Sequence, residues 1–306
     1  MRASNFDRIV AKTMAVGGLE LLPSRRGATY FVDPNTGNDN NPGTSWDSAL
    51  DTMAEAFTRI VSGDTIYFVG KVREQLTTPV QVFDVSIIGA GNRPRHADST
   101  PAGGELAGAT WTTPLAGSTD VPLLKVLQQG WRLENFLMAG HATDACVLLY
   151  RDGGAGDLER DASHFEAHGI RFASGQDGIE QSGGCYNVGI FDCSFHDLTG
   201  YAIKHTAGAG IANPWRWQIK GNRFQGCANW LGVWNTHAWE ITDNVIGEIT
   251  TALINVAGGS GHNVILGNVF DIAAADFDPN GGVTGHATDV WSNYLKDAIE
   301  TGLPAN

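Results

Sequence analysis

Three stretches, Trp217-Gln-Ile-Lys-Gly-Asn-Arg-Phe224, Trp239-Glu-Ile-Thr-Asp-Asn-Val-Ile246 and Asn263-Val-Ile-Leu-Gly-Asn-Val-Phe270, are nearly superimposable as text. Each has Ile as its third residue, between polar neighbours in the first two, an Asn at the sixth position and an apolar residue at the eighth. That alternation is the mark of short strands, not of helices. Working outward, the closing apolar position recurs at Phe172, Phe195, Phe224, Ile246 and Phe270, with spacings of 23, 29, 22 and 24 residues. A strand-built repeat of this length buries its apolar face only by stacking on its neighbours, which is the logic of a solenoid. TIM barrels and doubly wound sheets would need a helix between successive strands. The expected fold is therefore all-β: a right-handed, single-stranded parallel β-helix. Ile219, Ile241 and Ile265, with Leu266 beside it, should stack inward. Asn222, Asn244 and Asn268 should form an asparagine ladder at a turn, because an internal Asn amide can pair with adjacent coils and Asn tolerates the left-handed conformation.

Towards the N-terminus, Trp131 to Met138 reads as an earlier, imperfect coil, and residues 89–122 as a longer excursion rich in Pro and Gly. Thr65-Ile-Tyr-Phe-Val69, Val80-Gln-Val-Phe83 and Val85-Ser-Ile-Ile88 are short strand-like runs. Before them, Ala49, Met53, Ala56, Phe57 and Ile60 share one helical face, which predicts an amphipathic capping helix over about 45–61, with Ser45 as N-cap and Ser62-Gly63 as its end. Asp33 to Gly43 is dense in turn formers and reads as a loop. Residues 1–28 form a leader in which Phe6, Ile9, Val10 and Met14 recur at helical spacing. Residues 273–306 form a C-terminal cap or tail, helix-like over 287–299, so that 29–272 is the solenoid itself.

Composition narrows the function. Of 306 residues, 39 are Gly and 17% are charged, against roughly 7% and 25% in ordinary soluble domains, which suits many short strands joined by tight turns. A net charge of −13 speaks against nucleic acid or anionic membrane as the main partner, since both call for clustered Lys and Arg. The four cysteines (Cys146, Cys185, Cys193, Cys227) have neither CxxC nor metal-ligand spacing with His, and read as buried free thiols. Lys12, Gly17-Gly18 and Glu20 interrupt any signal-peptide core, and no run reaches the length of a membrane span. Synthesis and assembly in a cytoplasm are the expectation.

The run Tyr30-Phe-Val-Asp-Pro-Asn-Thr-Gly-Asn-Asp-Asn-Asn-Pro-Gly-Thr-Ser-Trp46, followed by Gly63-Asp-Thr-Ile-Tyr-Phe-Val-Gly70, Val72-Arg-Glu-Gln-Leu76 and Val85-Ser-Ile-Ile-Gly-Ala-Gly91, resembles the opening of the pectate-lyase-like superfamily. The resemblance covers 29–92 by motif and 131–272 by repeat pattern. Such openings occur in secreted polysaccharide lyases and esterases and in phage tail spikes and other virion proteins, so they speak for fold more than for function. The absence of a signal-peptide core and the short segments outside the coils at both ends point to the phage branch. What this implies is a virion surface protein, in a tail spike or fibre or decorating the capsid, assembled in the host cytoplasm. It would be a homo-trimer attached to other virion proteins through 1–28 or 287–304 and facing a host surface glycan. The alternatives are a depolymerase, lyase or glycoside hydrolase, acting on an acidic glycan, and a glycan-binding protein without catalysis.

Lyases of this superfamily use a Lys or Arg base beside acidic residues that hold Ca²⁺, and its hydrolases use paired carboxylates. Asp177, in Gly175-Gln-Asp-Gly-Ile179, resembles the Asp-Gly-Ile strip of polygalacturonase-like enzymes, and Tyr201-Ala-Ile-Lys-His205 supplies Lys204 and His205 one coil later. The Asp-Asp pair, Gly-His-Gly and Arg-Ile-Lys of those hydrolases are absent, and an Asp before Gly is commonly a turn residue. These three are the catalytic candidates if the chain is an enzyme. No cofactor or metal is expected, Ca²⁺ entering only with a lyase; Asp33, Asp39, Asp276 and Asp278 sit in loops without a recognised Ca²⁺-binding spacing. Five of nine tryptophans fall between 215 and 239. Trp217 and Trp239 occupy matching repeat positions and should stack. Trp215, Trp230 and Trp234, assigned to connecting turns, are candidates for an exposed surface that meets a partner or a glycan.

Overall fold

The computed structural model describes residues 27–91, 108–114, 121–152, 160–206, 214–234, 237–249 and 264–271, together with the strands Met14–Val16, Leu19–Leu21, Ala252–Ala257, Asp289–Trp291 and Tyr294–Leu295. Its short strands collect into three parallel sheets, of ten, nine and seven strands among the described residues, and from Thr65–Phe68 to Val269–Asp271 successive strands fall in the three sheets in turn. This is a parallel β-helix. The first sheet runs from Thr29–Val32 through Arg132–Glu134, Glu166–His168, Gly189–Phe191, Gln218–Lys220 and Glu240–Thr242 to Asp289–Trp291. The second includes Arg171–Ala173, Ser194–His196, Arg223–Gln225 and Val245–Gly247, and the third includes Val147–Tyr150, Ile179–Ser182, Tyr201–Thr206 and Asn229–Trp234.

Register follows the repeated text. Ile190, Ile219, Ile241 and Ile265 are successive partners in the first sheet, and Phe172, Phe195, Phe224, Ile246 and Phe270 in the second. All of these are buried. The rings of Phe172, Phe195 and Phe224 stack at centroid spacings of 4.8 Å, as do those of Trp217 and Trp239, at 4.8 Å and 5°. That spacing is the distance between hydrogen-bonded strands, so identical rings at identical repeat positions come into contact with no further adjustment.

Between the first and second sheets a left-handed residue (Gly169, Asp192, Gly221, Asp243, Gly267) makes the corner, and the next side chain points inward. At the last three coils that side chain is Asn. Asn222 Nδ2 donates to Asn244 Oδ1 (3.0 Å) and Asn244 Nδ2 to Asn268 Oδ1 (2.9 Å). Each Asn oxygen also takes the backbone N–H of the coil before it: Cys193 to Asn222, Asn222 to Asn244 and Asn244 to Asn268, at 2.8–3.0 Å. The ladder satisfies turn amides that would otherwise be buried without partners.

The capping helix is shorter than its periodicity suggests. A 3-10 turn spans Trp46–Ser48 and the α-helix spans only Met53–Arg59. Leu50 is recruited to the solenoid end, its N–H donating to Phe31 O and its carbonyl accepting from Asp33 N, both 2.8 Å. Helical backbone cannot begin until that pairing ends. Thr52, not Ser45, is therefore the N-cap, its hydroxyl accepting from Glu55 N at 3.1 Å. Met53, Ala56 and Phe57 face the core, and the Phe57 ring meets Trp131 at 5.5 Å and Trp111 at 6.5 Å.

Two further expectations are corrected. The helix over 287–299 is replaced by the strands Asp289–Trp291 and Tyr294–Leu295, which pair in parallel with Val264–Leu266 and Val269–Asp271. Val290 and Leu295 pair in register with Ile265 and Phe270, so strand pairing outweighs helical spacing. In the leader, Met14–Val16 and Leu19–Leu21 pair antiparallel, and the rest of the proposed helical pattern lies outside the described residues. All four cysteines are buried and free of disulfides, with burial pushing the thiols of Cys146, Cys193 and Cys227 up to about 12. Among the described residues no helix is long and apolar enough to cross a membrane.

Candidate functional site

Asp177 and Lys204 are brought together, by the stacking of neighbouring coils. Glu180 and Lys204 are direct partners on the outer face of the third sheet, and Asp177 lies just before the same strand. Lys204 Nζ is 2.9 Å from Asp177 Oδ2 and 3.7 Å from Glu180 Oε1. Asp177 Oδ1 accepts the Tyr201 N–H at 2.6 Å, and Thr206 Oγ1 donates to Glu180. Burial works to lower the Lys204 amine, but the hydrogen bond and charge of Asp177, with Glu180 behind it, outweigh that and hold it above its ordinary value. Asp177 is 1% exposed. A substrate would therefore find a carboxylate sealed from solvent and an amine held as ammonium, neither of which suits a general base. The glycine of Asp-Gly has a packing cause too: a Cβ at Gly178 would lie 2.6 Å from both Ala202 O and the Phe195 ring.

His205 does not join them. Adjacent residues of a strand face opposite ways, so with Lys204 outward His205 points into the core. Burial pushes its imidazole down to about 4. With the Gln181 amide turned to satisfy its surroundings, its nitrogen donates to His205 Nδ1 (2.7 Å) and its oxygen accepts from Cys185 N (2.6 Å).

The tryptophans divide. Trp230 is wholly buried, which corrects its placement on an exposed turn: residues 229–234 are a third-sheet strand, and its ring packs on Phe224 (5.7 Å) and Phe270 (5.4 Å). Trp234 ends that strand, and its side chain lies outside the described residues. Trp215 is half exposed, and it leads to a surface that the sequence analysis did not identify.

That surface is an open groove of about 460 Å³ on the outer face of the first sheet. Its floor includes Gly189 and Phe191, and its polar lining includes Glu166, Gln218, Glu240 and Arg216. Glu166, Gly189, Gln218 and Glu240 are successive register partners, the outward neighbours of the buried Ala167, Ile190, Ile219 and Ile241. Along one edge His164, Asn187, Arg216 and Ala238 all adopt left-handed backbone, φ 53–60°. Four such non-glycine residues in line are unusual. They persist because the N–H of each of the first three donates to the carbonyl of Tyr186, Trp215 or His237 on the next coil, at 2.9 Å. Tyr186, Trp215 and His237 are themselves bridged in series, with Trp215 and His237 rings 5.5 Å apart, and form an aromatic row beside the groove.

Charge in the groove is uneven. Glu166 is compensated by Arg132 (3.9 Å), which also holds Glu134 (3.2 Å), and its Oε2 lies 2.8 Å from His168 Nε2. Glu240 receives Gln218 Nε2 at 3.2 Å and has no cationic partner among the described residues. Among the described residues no group of three His, Cys, Asp or Glu is placed to hold a metal ion. Gln218 and Glu240 were visible in the repeated octets as the residues beside the inward Ile; what the text did not carry was that their coils line up with Glu166 and Gly189 as one surface.

No known protein family matches the chain by sequence, and no curated protein does. Among solved structures it is similar to a rhamnogalacturonan lyase, with 14% identity and a TM-score of 0.51 over 80% of this chain and 70% of that one. It is also similar to the pectate lyase Pel9A, with 12% identity and a TM-score of 0.46 over 91% and 81%. At such identity the likeness is one of fold alone.

Proposed function

We propose that this protein binds a glycan chain in the groove of its first sheet, with Trp215 and its aromatic row as the stacking edge, and does not cleave it. The observation that carries the proposal is the juxtaposition of a half-exposed Trp215 with a groove lined by carboxylate, amide and guanidinium groups. Aromatic faces cover the apolar faces of sugar rings while such polar groups take their hydroxyls.

Binding is favoured over hydrolysis because the groove's two lining carboxylates, Glu166 and Glu240, stand three strands apart. Three interstrand steps of ~4.8 Å make roughly 14 Å, beyond the roughly 5–9.5 Å over which paired carboxylates work on a glycosidic bond. The nearer pair, Glu134 and Glu166, shares the Arg132 guanidinium, whereas a general acid needs an uncompensated, desolvated carboxyl.

The phage setting implied by the sequence resemblance belongs to the same proposal: a trimeric virion surface protein, joined to its neighbours through 1–28 or 287–304, that holds a host glycan. The test is a binding screen of the full chain on bacterial surface polysaccharides, with products followed by reducing-end assay and by absorbance of unsaturated sugars. Binding without product release is the expected result; release that Asp177→Ala abolishes would restore the depolymerase, and light scattering that gives a monomer would remove the trimer.

A further inference from the structure

We infer that the groove selects glycans without carboxylates, taking neutral, hydroxyl-rich chains and rejecting polyuronates. The inference rests on the glycan-binding proposal and deepens it by naming the substrate class.

A polyuronate presents one carboxylate per sugar, so a groove that accepts it must offer cations at a matching repeat or bridging divalent ions. The four rungs from Glu166 to Glu240 offer the opposite. Arg132 is already shared by Glu134 and Glu166. Lys220, on the neighbouring outward column, reaches Asp243 at 3.6 Å. That leaves Arg216 as the groove-lining cation with no carboxylate partner among the described residues, set against Glu240, which has no cation. The net charge of −13 adds a long-range field of the same sign. Glu240 is instead well suited to hydroxyls: its carboxylate is acceptor-only, and Gln218 Nε2 occupies one of its oxygens at 3.2 Å while leaving the other open.

The experiment uses the full chain and matched ligand pairs. A panel of neutral, amino-sugar and uronic acid polysaccharides is screened by calorimetry at low ionic strength. Each neutral hit is then compared with its C6-oxidised form, and each uronate hit with its carboxyl-reduced form. The expected result is a neutral hit whose affinity falls about tenfold or more on oxidation, as for a like charge placed close to Glu240. The loss should shrink with added salt and be partly recovered in Glu240→Gln. A uronate that binds better than its reduced form would overturn the inference and leave the groove as a glycan site. Absence of any binding across the panel would instead overturn the glycan-binding proposal, and the inference with it.

Discussion

Asp177 and Lys204 meet across adjacent coils with Oδ2 2.9 Å from Nζ, and the pair closes a buried corner of the third sheet: the other Asp177 oxygen holds the Tyr201 amide. A Cβ at Gly200 would lie 2.4 Å from Oδ1. The contact stabilises the coil junction, and removing Lys204 leaves the buried Asp177 without its cation.

Asp177→Ala and Lys204→Met should each lose about 2–4 kcal/mol of stability in urea unfolding at pH 7, because one leaves the Tyr201 amide without its acceptor and the Lys204 ammonium with only Glu180 at 3.7 Å, and the other an uncompensated buried carboxylate. Glycan affinity of the folded fraction should be unchanged. Since the Lys204 amine is held above its ordinary value, its contribution is complete at neutral pH and is lost as pH rises through the folded value, above 10.5. Lys204→Met should flatten that alkaline decline.

His205 sets an acid limb. Its imidazole is pushed from 6.5 down to about 4, so between these values the unfolded chain binds a proton that the folded chain does not, and stability falls as pH drops through that window. The full shift amounts to ~3 kcal/mol. His205→Gln should remove most of the slope between pH 7 and 4 in chemical denaturation; an unaltered slope would show that other groups govern it.

Asn244 is the middle of the ladder, accepting two bonds from Asn222 and donating to Ile219 O and Asn268 Oδ1. Asn244→Ala should cost about 3 kcal/mol or more, since it leaves the buried Asn222 N–H without its acceptor and removes one bond each from the Asn222 amide and the Ile219 carbonyl. At the roughly 2–4 °C per kcal/mol of a large domain, the thermal midpoint should fall by about 6–12 °C in calorimetry.

Trp215 and Trp217 are two residues apart and should behave oppositely. Trp215→Ala removes a half-exposed ring and should weaken glycan binding about tenfold with little change in the thermal midpoint. Trp217→Ala removes a buried ring stacked on Trp239 and should cost about 3–5 kcal/mol. Weak binding in both variants at equal stability would remove the distinction.

Much of the architecture could be read from the text because a solenoid is a one-dimensional object. Ile219, Ile241 and Ile265, the Asn ladder and the Trp217–Trp239 stack each follow from one residue repeating at one place in a coil. The errors fell where that periodicity ends. Leu50 falls within the predicted helix but pairs with the solenoid edge, Val290 and Tyr294 fall at helical spacing but lie in strands that pair with Val264–Leu266 and Val269–Asp271, and Trp230 reads as a turn residue but lies in a strand. In each case long-range strand pairing overrode a local pattern.

The site is divided in the same way. The sequence by itself determined which residues recur, and so the strands, the inward faces and the stacking of like on like, because these depend on position within a repeat. Only the tertiary structure decided that Asp177 is sealed by Lys204, that His205 faces the core, and that Glu166, Gly189, Gln218 and Glu240 form one groove beside Trp215. Those relations depend on how coils of unequal length come into register, which is set by hydrogen bonds between residues 20 or more positions apart.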